Sequence, residues 1–258
     1  MIFDYIKNLI DKPKITFFTE YEGLEDVVPV VPATKHIPNW FKKTPHADKD
    51  FNLPTIKNCP AIPDFFKNAY VLRMWCDVRF TVLLTEQNSI PFVELNKLQK
   101  KYHWEAPDNS FKFETHGDNQ FLDHLSEDQK KDAVFVWKPI SPWFVKTPPG
   151  YSVLQLPMIY DYNSDFEVMP GVIDSDHHCQ MNPQLIQKKL GTIFIERGTP
   201  IAMYIPFKRT KYNLECVYET PELKKHKLTN HWNTFTKFPG LKGGYKEKQK
   251  ECPVHRKK

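Results

Sequence analysis

The sequence predicts a mainly β (α+β) fold: a single β-sandwich or barrel-like domain with a C-terminal helix and a basic tail. Three observations lead there. Six short β-rich runs follow one another from residue 133, with Pro, Gly, Asn or Asp between most of them. Twenty-two prolines against nine glycines disfavour long helices and favour short strands joined by stiff loops. A hydrophobic share of 40% with 14% aromatics, over 258 residues, can fill a sizeable core without disulfide staples.

The chain divides into three stretches within that one domain, 1–258. Residues 1–95 supply N-terminal strands and a proline-rich wrapping segment. Here MIFDYIKNLIDK reads as a short amphipathic helix stopped before Pro13, and KITFFT as the first strand. The stretch VVPVVPATKHIPNWFKKTP reads as extended chain wrapped on the core, anchored by Trp40 and Phe41. NCPAIPDFFKNA holds one helical turn. YVLRMWCDVRFTVLL, 70–84, is a strand pair broken near Trp75 and Cys76, with Val78, Phe80 and Val82 facing away from Arg79 and Thr81.

Residues 96–132 are polar, and SEDQKKD starts a helix at Ser126. Residues 133–218 form the β core, from AVFVW, PWFVKT, YSVLQL, GTIFIE, PIAMYIPF and YNLECVYE. Residues 219–258 give a helix and a basic tail: Thr220 caps, Pro221 takes the first position, and Leu223, Leu228, Trp232 and Phe235 make a rough apolar face.

Charge and cysteines narrow the classes further. The net charge of +5 sits largely in the last fifty residues, a solvated basic end rather than a nucleic-acid face. Five cysteines without CxxC spacing read as reduced thiols, mostly buried as small apolar groups. No run approaches the ~18 apolar residues that a membrane span needs, and the N-terminus lacks the order of a secretory signal. No phosphate loop, GxSxG elbow, HExxH or EF-hand spacing occurs.

The chemistry gathers at GVIDSDHHC, 171–179. Gly171 admits a positive φ, and Val172 and Ile173 are strand residues. Asp174 and Asp176 then point to one side if the strand continues, as a pair able to hold a cation or act as a base. His177 and His178, with Asp176, are the candidate ligands of a divalent metal such as iron, zinc or manganese. The alternative is a polar turn between strands.

TPPGYS, 147–152, is a turn in which Pro149 sets φ and Gly150 supplies the positive φ; Tyr151 then starts a strand and offers a hydroxyl to a ligand. Lys208 and Arg209 end a strand after the turn at Gly198, where they would meet an anionic group. Two weaker patterns are His103 with Glu105, which fits a facial iron triad, and His116 with Gln120, four apart in a loop.

Five motifs in order, PATKHIPNWFKK, TIKNCPAIPD, PWFVKTPPGYSVL, GVIDSD and GTPIAMYIPFKR, resemble a family of uncharacterised proteins of marine tailed phages. The later motifs also resemble a bacterial family of unknown function with a TPPGY turn. The resemblance implies a viral origin, a shared β fold and a place in the host cytoplasm during infection. Where that family carries a DTD strand followed by an aromatic, this chain has DSDHH.

Locally, GVIDSD followed by GTPIAMYI is similar to the deoxyuridine triphosphatase pattern. That similarity implies a sugar and an activated water held by Asp174 and Asp176. GYSVL stands where that pattern has a PRS phosphate motif, and the glycine-rich arm is absent.

The expected function is an intracellular small-molecule-binding β protein whose pocket lies where 147–152, 171–178 and 203–209 meet. Its enzyme version acts on an anionic small molecule with a bound metal. The rival expectations are a virion or assembly component, in which case the chain oligomerises, and a nucleotide hydrolase.

Overall fold

A computed structural model describes residues 13–84, 89–95, 112–162 and 165–235. In chain order the elements are β1 (Thr16–Thr19), α1 (Leu24–Val27), β2 (Val31–Pro32), α2 (Asn39–Lys43), α3 (Ala61–Lys67), β3 (Tyr70–Arg73) and β4 (Val78–Leu84). There follow β5 (Ser89–Leu95), β6 (Lys112–Thr115), α4 (Glu127–Lys130), β7 (Phe135–Ile140), β8 (Trp143–Lys146) and β9 (Tyr151–Leu156). The last are β10 (Phe166–Val168), β11 (Gly171–Ile173), β12 (Leu185–Gln187), β13 (Gly191–Ile195), β14 (Pro200–Lys208) and α5 (Pro221–Phe235). The fold is mainly β, with several antiparallel sheets and a few short helices, as the sequence predicts.

Two compact units divide the described chain: 13–38 with 65–209, and 39–64 with 210–235. The first holds the sheets. Their orders are β11-β9-β14-β3-β2, β10-β12-β7-β6, β13-β4-β5 and the pair β1-β8. Two chain segments cross side by side from one sheet to another. β3 and β14 pair in the five-stranded sheet, and their continuations β4 and β13 pair in the three-stranded one.

The crossing is pinned at the break expected near Trp75. Met74 N–H donates to the Thr199 carbonyl (2.8 Å), Gly198 N–H to the Met74 carbonyl (2.7 Å), and Arg197 N–H to Asp77 Oδ1 (2.7 Å). Gly198 turns the chain there at φ 87°, in the left-handed region that glycine enters at little cost.

The alternation of β4 does what the sequence predicts: Val78, Phe80 and Val82 are buried, and Arg79 is exposed. Phe80 stacks on Trp137 of β7, with centroids 4.1 Å apart and planes 9° from parallel, and meets Phe113 edge-on at 5.8 Å. Around this pair lie Met74, Trp75, Val153, Met181, Leu185, Ile193, Ile195 and Tyr204, all within one apolar core. Tyr204 keeps its hydroxyl satisfied there by donating to Gln155 Oε1 at 2.8 Å. Ser126 caps α4 in a reciprocal box with Gln129.

The second unit contains α2, a short 3₁₀ turn and α5. Lys57 Nζ donates to the carbonyls of Phe41 (2.8 Å) and Lys42 (3.2 Å) at the end of α2 and sits 4.7 Å from the Phe41 ring centroid. This puts a cation where the carbonyls of α2 lack partners within the helix. Thr220 caps α5 as expected, accepting from Leu223 N–H at 3.2 Å.

Four expectations are corrected. Residues 33–43 are not extended: they form a 3₁₀ turn and α2, and Trp40 is 38% exposed while Phe41 is buried. Neighbours on a helix point about 100° apart, and here Phe41 faces inward while Trp40 lies toward the edge of that face. YNLECVYE is not a strand. Residues 210–220 have no regular structure and are exposed throughout, so the β core ends at Lys208. The alternation is present, but no partner strand lies beside it among the described residues, and a strand is held by its ladder.

The cysteines are not mostly buried, since Cys76 is buried while Cys59 is half-buried and Cys179 and Cys216 are exposed. Gly171 lies in β11 without a positive φ. The N-terminal helix, the basic tail and the His103–Glu105 pair fall outside the described residues. The side chains that would complete the α5 face, Trp232 and Phe235, do so as well. Strands β5, β6, β10 and β12 have no counterpart in the sequence reading. β6, β10 and β12 are three or four residues long, too short for an alternation to stand out, and β5 carries Pro91 within it, which reads against a strand.

Candidate functional site

The turns that flank β9, β11 and β14 build one cluster. In β9 and β14, Ser152 lies opposite Phe207, and in β11 and β9, Val172 lies opposite Leu154. The pleat therefore sets Ser152, Leu154, Val172, Ile205 and Phe207 on one face of the sheet. Two residues beyond Phe207 comes Arg209, and two beyond Val172 comes Asp174, which continue the same face. The opposite face carries Val153, Gln155 and Tyr204 into the core.

At the end of this face, Arg209 Nη1 donates to Asp176 Oδ1 at 2.7 Å, and Nη2 donates to Asp176 Oδ2. Nη1 also reaches Ser152 Oγ (2.9 Å), the Tyr151 carbonyl (3.3 Å) and Asp174 Oδ1 (3.2 Å). Ser152 Oγ donates to Asp174 Oδ1 at 2.7 Å. Gly150, at φ 80°, turns its N–H onto Asp176 Oδ2 at 2.8 Å.

The loop that carries the acids is itself held. His177 and His178 N–H both donate to the Asp174 carbonyl at 2.8 Å, so 174–178 is a turn rather than more strand. Ser175, buried in that turn, shares a 2.7 Å hydroxyl bond with Thr147.

The two acids differ in exposure and use. The Asp176 side chain is 5% exposed and the Asp174 side chain 59%. The Arg209 guanidinium, aided by the Gly150 N–H, holds the Asp176 carboxyl well below the usual carboxylate range. The Ser152 hydroxyl, then Arg209, lowers Asp174. The same pairing raises Arg209. All three stay charged at neutral pH.

The expected meeting of 147–152, 171–178 and 203–209 is thus where Asp174, Asp176 and Arg209 come together. Tyr151 contributes its carbonyl, not its hydroxyl. Lys208 is exposed at the end of β14, opposite Tyr151, and makes no bond to the cluster among the described residues. His177 is 80% exposed, with Nε2 3.7 Å from Asp176 Oδ2. The Asp176 oxygens are taken by Arg209 and Gly150. Among the described residues no group of three or more His, Cys, Asp or Glu side chains is placed to hold a metal ion.

Away from the cluster, His116 Nδ1 and Gln120 Oε1 form the loop pair at 3.0 Å. Sequence reasoning missed Ser152 and Thr147. The signal for Ser152 was its place two residues after Gly150 in an alternating strand.

No protein-family model matches the sequence. No curated protein matches it. Among solved structures, a mutant of the dUTPase from phage phi11 of S. aureus, described with a structural Mg(II) ion, is similar at a TM-score of 0.27 and 14% identity; 44% of this chain and 99% of that chain are covered.

Two mutants of the Staphylococcus bacteriophage 80alpha dUTPase with dUpNHpp give TM-scores of 0.26 and 0.25, again at 14% identity. They cover 44% of this chain and 93% and 90% of theirs. Scores at this level fall short of a common fold, and the class of the protein rests on its own sheets. No helix among the described residues is long and apolar enough to cross a membrane.

Proposed function

We propose that the protein binds a small molecule on the outer face of the five-stranded sheet, through Asp174. One observation carries the reading. Asp174 is fixed by Ser152 and Arg209 through Oδ1 yet is 59% exposed, so its carboxylate is an oriented acceptor open to solvent. Beside it, Val172 is 58% exposed, Phe207 is 36% exposed, and Leu154 and Ile205 are half-buried, which makes an apolar shelf. A flat apolar group on the shelf with hydroxyls reaching Asp174 describes a nucleoside-like ligand.

Asp176 acts as the anchor that keeps Arg209 in place. A carboxylate with both oxygens bonded and a lowered pKa is a poor base, which favours binding over acid–base chemistry. The order of the five sequence motifs supports a phage origin, with the infected host cell as the place of action.

The test is ligand-observed NMR with a panel of nucleosides and free sugars, on the natural chain and on Asp174→Asn. At least a roughly tenfold loss of affinity in the variant supports the reading. Nucleoside binding that is the same in both proteins overturns it.

A second reading, a virion or assembly component, is favoured by residues 210–229, every one of them exposed. Tyr212 at 86%, Leu214 at 91% and Tyr218 at 94% are apolar surface in search of cover. Mass spectrometry of washed particles separates the two: a stoichiometric virion protein favours assembly, and absence favours the binding protein.

A further inference from the structure

A cavity of about 320 Å³ lies among the loop 157–162, β10 and the start of β14, and no residue of the Asp174 cluster lines it. Its lining mixes polar groups with the buried side chains of Phe166, Val168 and Ile201, each at most 9% exposed. Its size is at the lower end of the ~300–1,000 Å³ that small-ligand sites occupy.

The rim has a particular chemistry. Lys188 is neutralised by Glu167 at 2.5 Å. Asp161 lies between Tyr160 and Tyr162, and its carboxylate has no partner among the described residues. Tyr160 holds φ 66°, a region that bulky residues seldom enter. Its ring lies 6.3 Å from that of Phe66, which is fully buried. The bend at Tyr160 presents Asp161 and Tyr162 at the mouth, and Tyr162 is 78% exposed.

We propose that this cavity binds a small organic cation, an alkylated ammonium of the choline kind. Three features select it. The uncompensated rim charge is negative, which repels anions. The tyrosine rings attract a cation through their faces. The Phe166, Val168 and Ile201 side chains offer contact to methyl groups, and an alkylated ammonium gives up its water more readily than a bare one.

Isothermal titration of the full chain with choline, and with its uncharged isostere 3,3-dimethylbutan-1-ol, tests the proposal. Asp161→Asn and Tyr162→Ala are run beside it, since both positions are exposed and a thermal melt reports whether each variant folds. Choline is expected to bind, the isostere to bind roughly tenfold more weakly or worse, and each variant to lose a similar factor for choline. No choline binding overturns the proposal. So does equal affinity for choline and the isostere, or full affinity in both folded variants.

Discussion

Arg209 clasps Asp176 with both terminal guanidinium nitrogens, one to each carboxylate oxygen. The pair joins the last strand of the five-stranded sheet to the turn after β11. A carboxylate with so little exposure survives there because a planar fork meets it with two donors, and Gly150 adds a third. The same guanidinium also holds Ser152 and Asp174, so one side chain sets the geometry of the exposed acid.

The pair makes stability depend on acid pH, and the sign follows from the lowered pKa. A group whose folded pKa is depressed contributes stability above its unfolded value, about 3.9 for Asp, and loses it as pH falls toward the folded value. Thermal melts of the natural chain and of Asp176→Asn should differ by a constant amount above about pH 5, and the gap should shrink below about pH 4. A gap that widens on acidification contradicts the arrangement.

Arg209→Lys is expected to be costly although it keeps the charge. An ammonium offers no planar fork, so it cannot meet both Asp176 oxygens together with Ser152. Arg209→Ala should be worse, because it leaves a buried carboxylate with Gly150 alone. The melting temperature should fall in the order natural, Lys, Ala. Asp174 binding to a nucleoside should weaken in the Lys variant as well, since Oδ1 loses a donor.

Much of this was legible in the sequence because it is local. The alternation 78–82, the turn glycines Gly150 and Gly198 and the Ser126 cap each depend on a few neighbouring residues, and each forms as the sequence predicts. The meeting of GYS, DSD and Arg209 was legible as well, since all three sit at strand ends; Lys208, read with them, stays outside it. What was not legible depends on distant partners. The YNLECVYE run has the pattern of a strand, yet pairs with no strand among the described residues. Nothing local shows that Asp176 is the acid to be buried and Asp174 the one left open, because that choice is made by Arg209, thirty-three residues away.

The core has a measurable coupling. Phe80 and Trp137 stack across two sheets, so a double-mutant cycle of Phe80→Leu and Trp137→Leu in urea should give a coupling of about 0.5–1.5 kcal/mol. Full truncation of either ring to Ala should cost about 3–5 kcal/mol. Additive single effects would mean that the rings do not touch as placed.

Two glycines, read alike in the sequence, should now part. At Gly150, φ is 80° and the N–H is bonded to Asp176; an added Cβ meets nothing within 4 Å. The cost of Gly150→Ala is then purely the left-handed backbone, about 1–2 kcal/mol. At Gly171 the strand conformation suits any residue, and a Cβ again meets nothing within 4 Å. Gly171→Ala should therefore be neutral or stabilising by about 0.4–1 kcal/mol, because it narrows the unfolded ensemble. Urea denaturation of the two variants decides. If Gly150→Ala is neutral, the chain does not turn in the left-handed region there, and the N–H that steadies Asp176 must come from elsewhere. If Gly171→Ala is as costly as Gly150→Ala, β11 is not a regular edge strand, and the register that sets Val172 and Asp174 on one face fails with it.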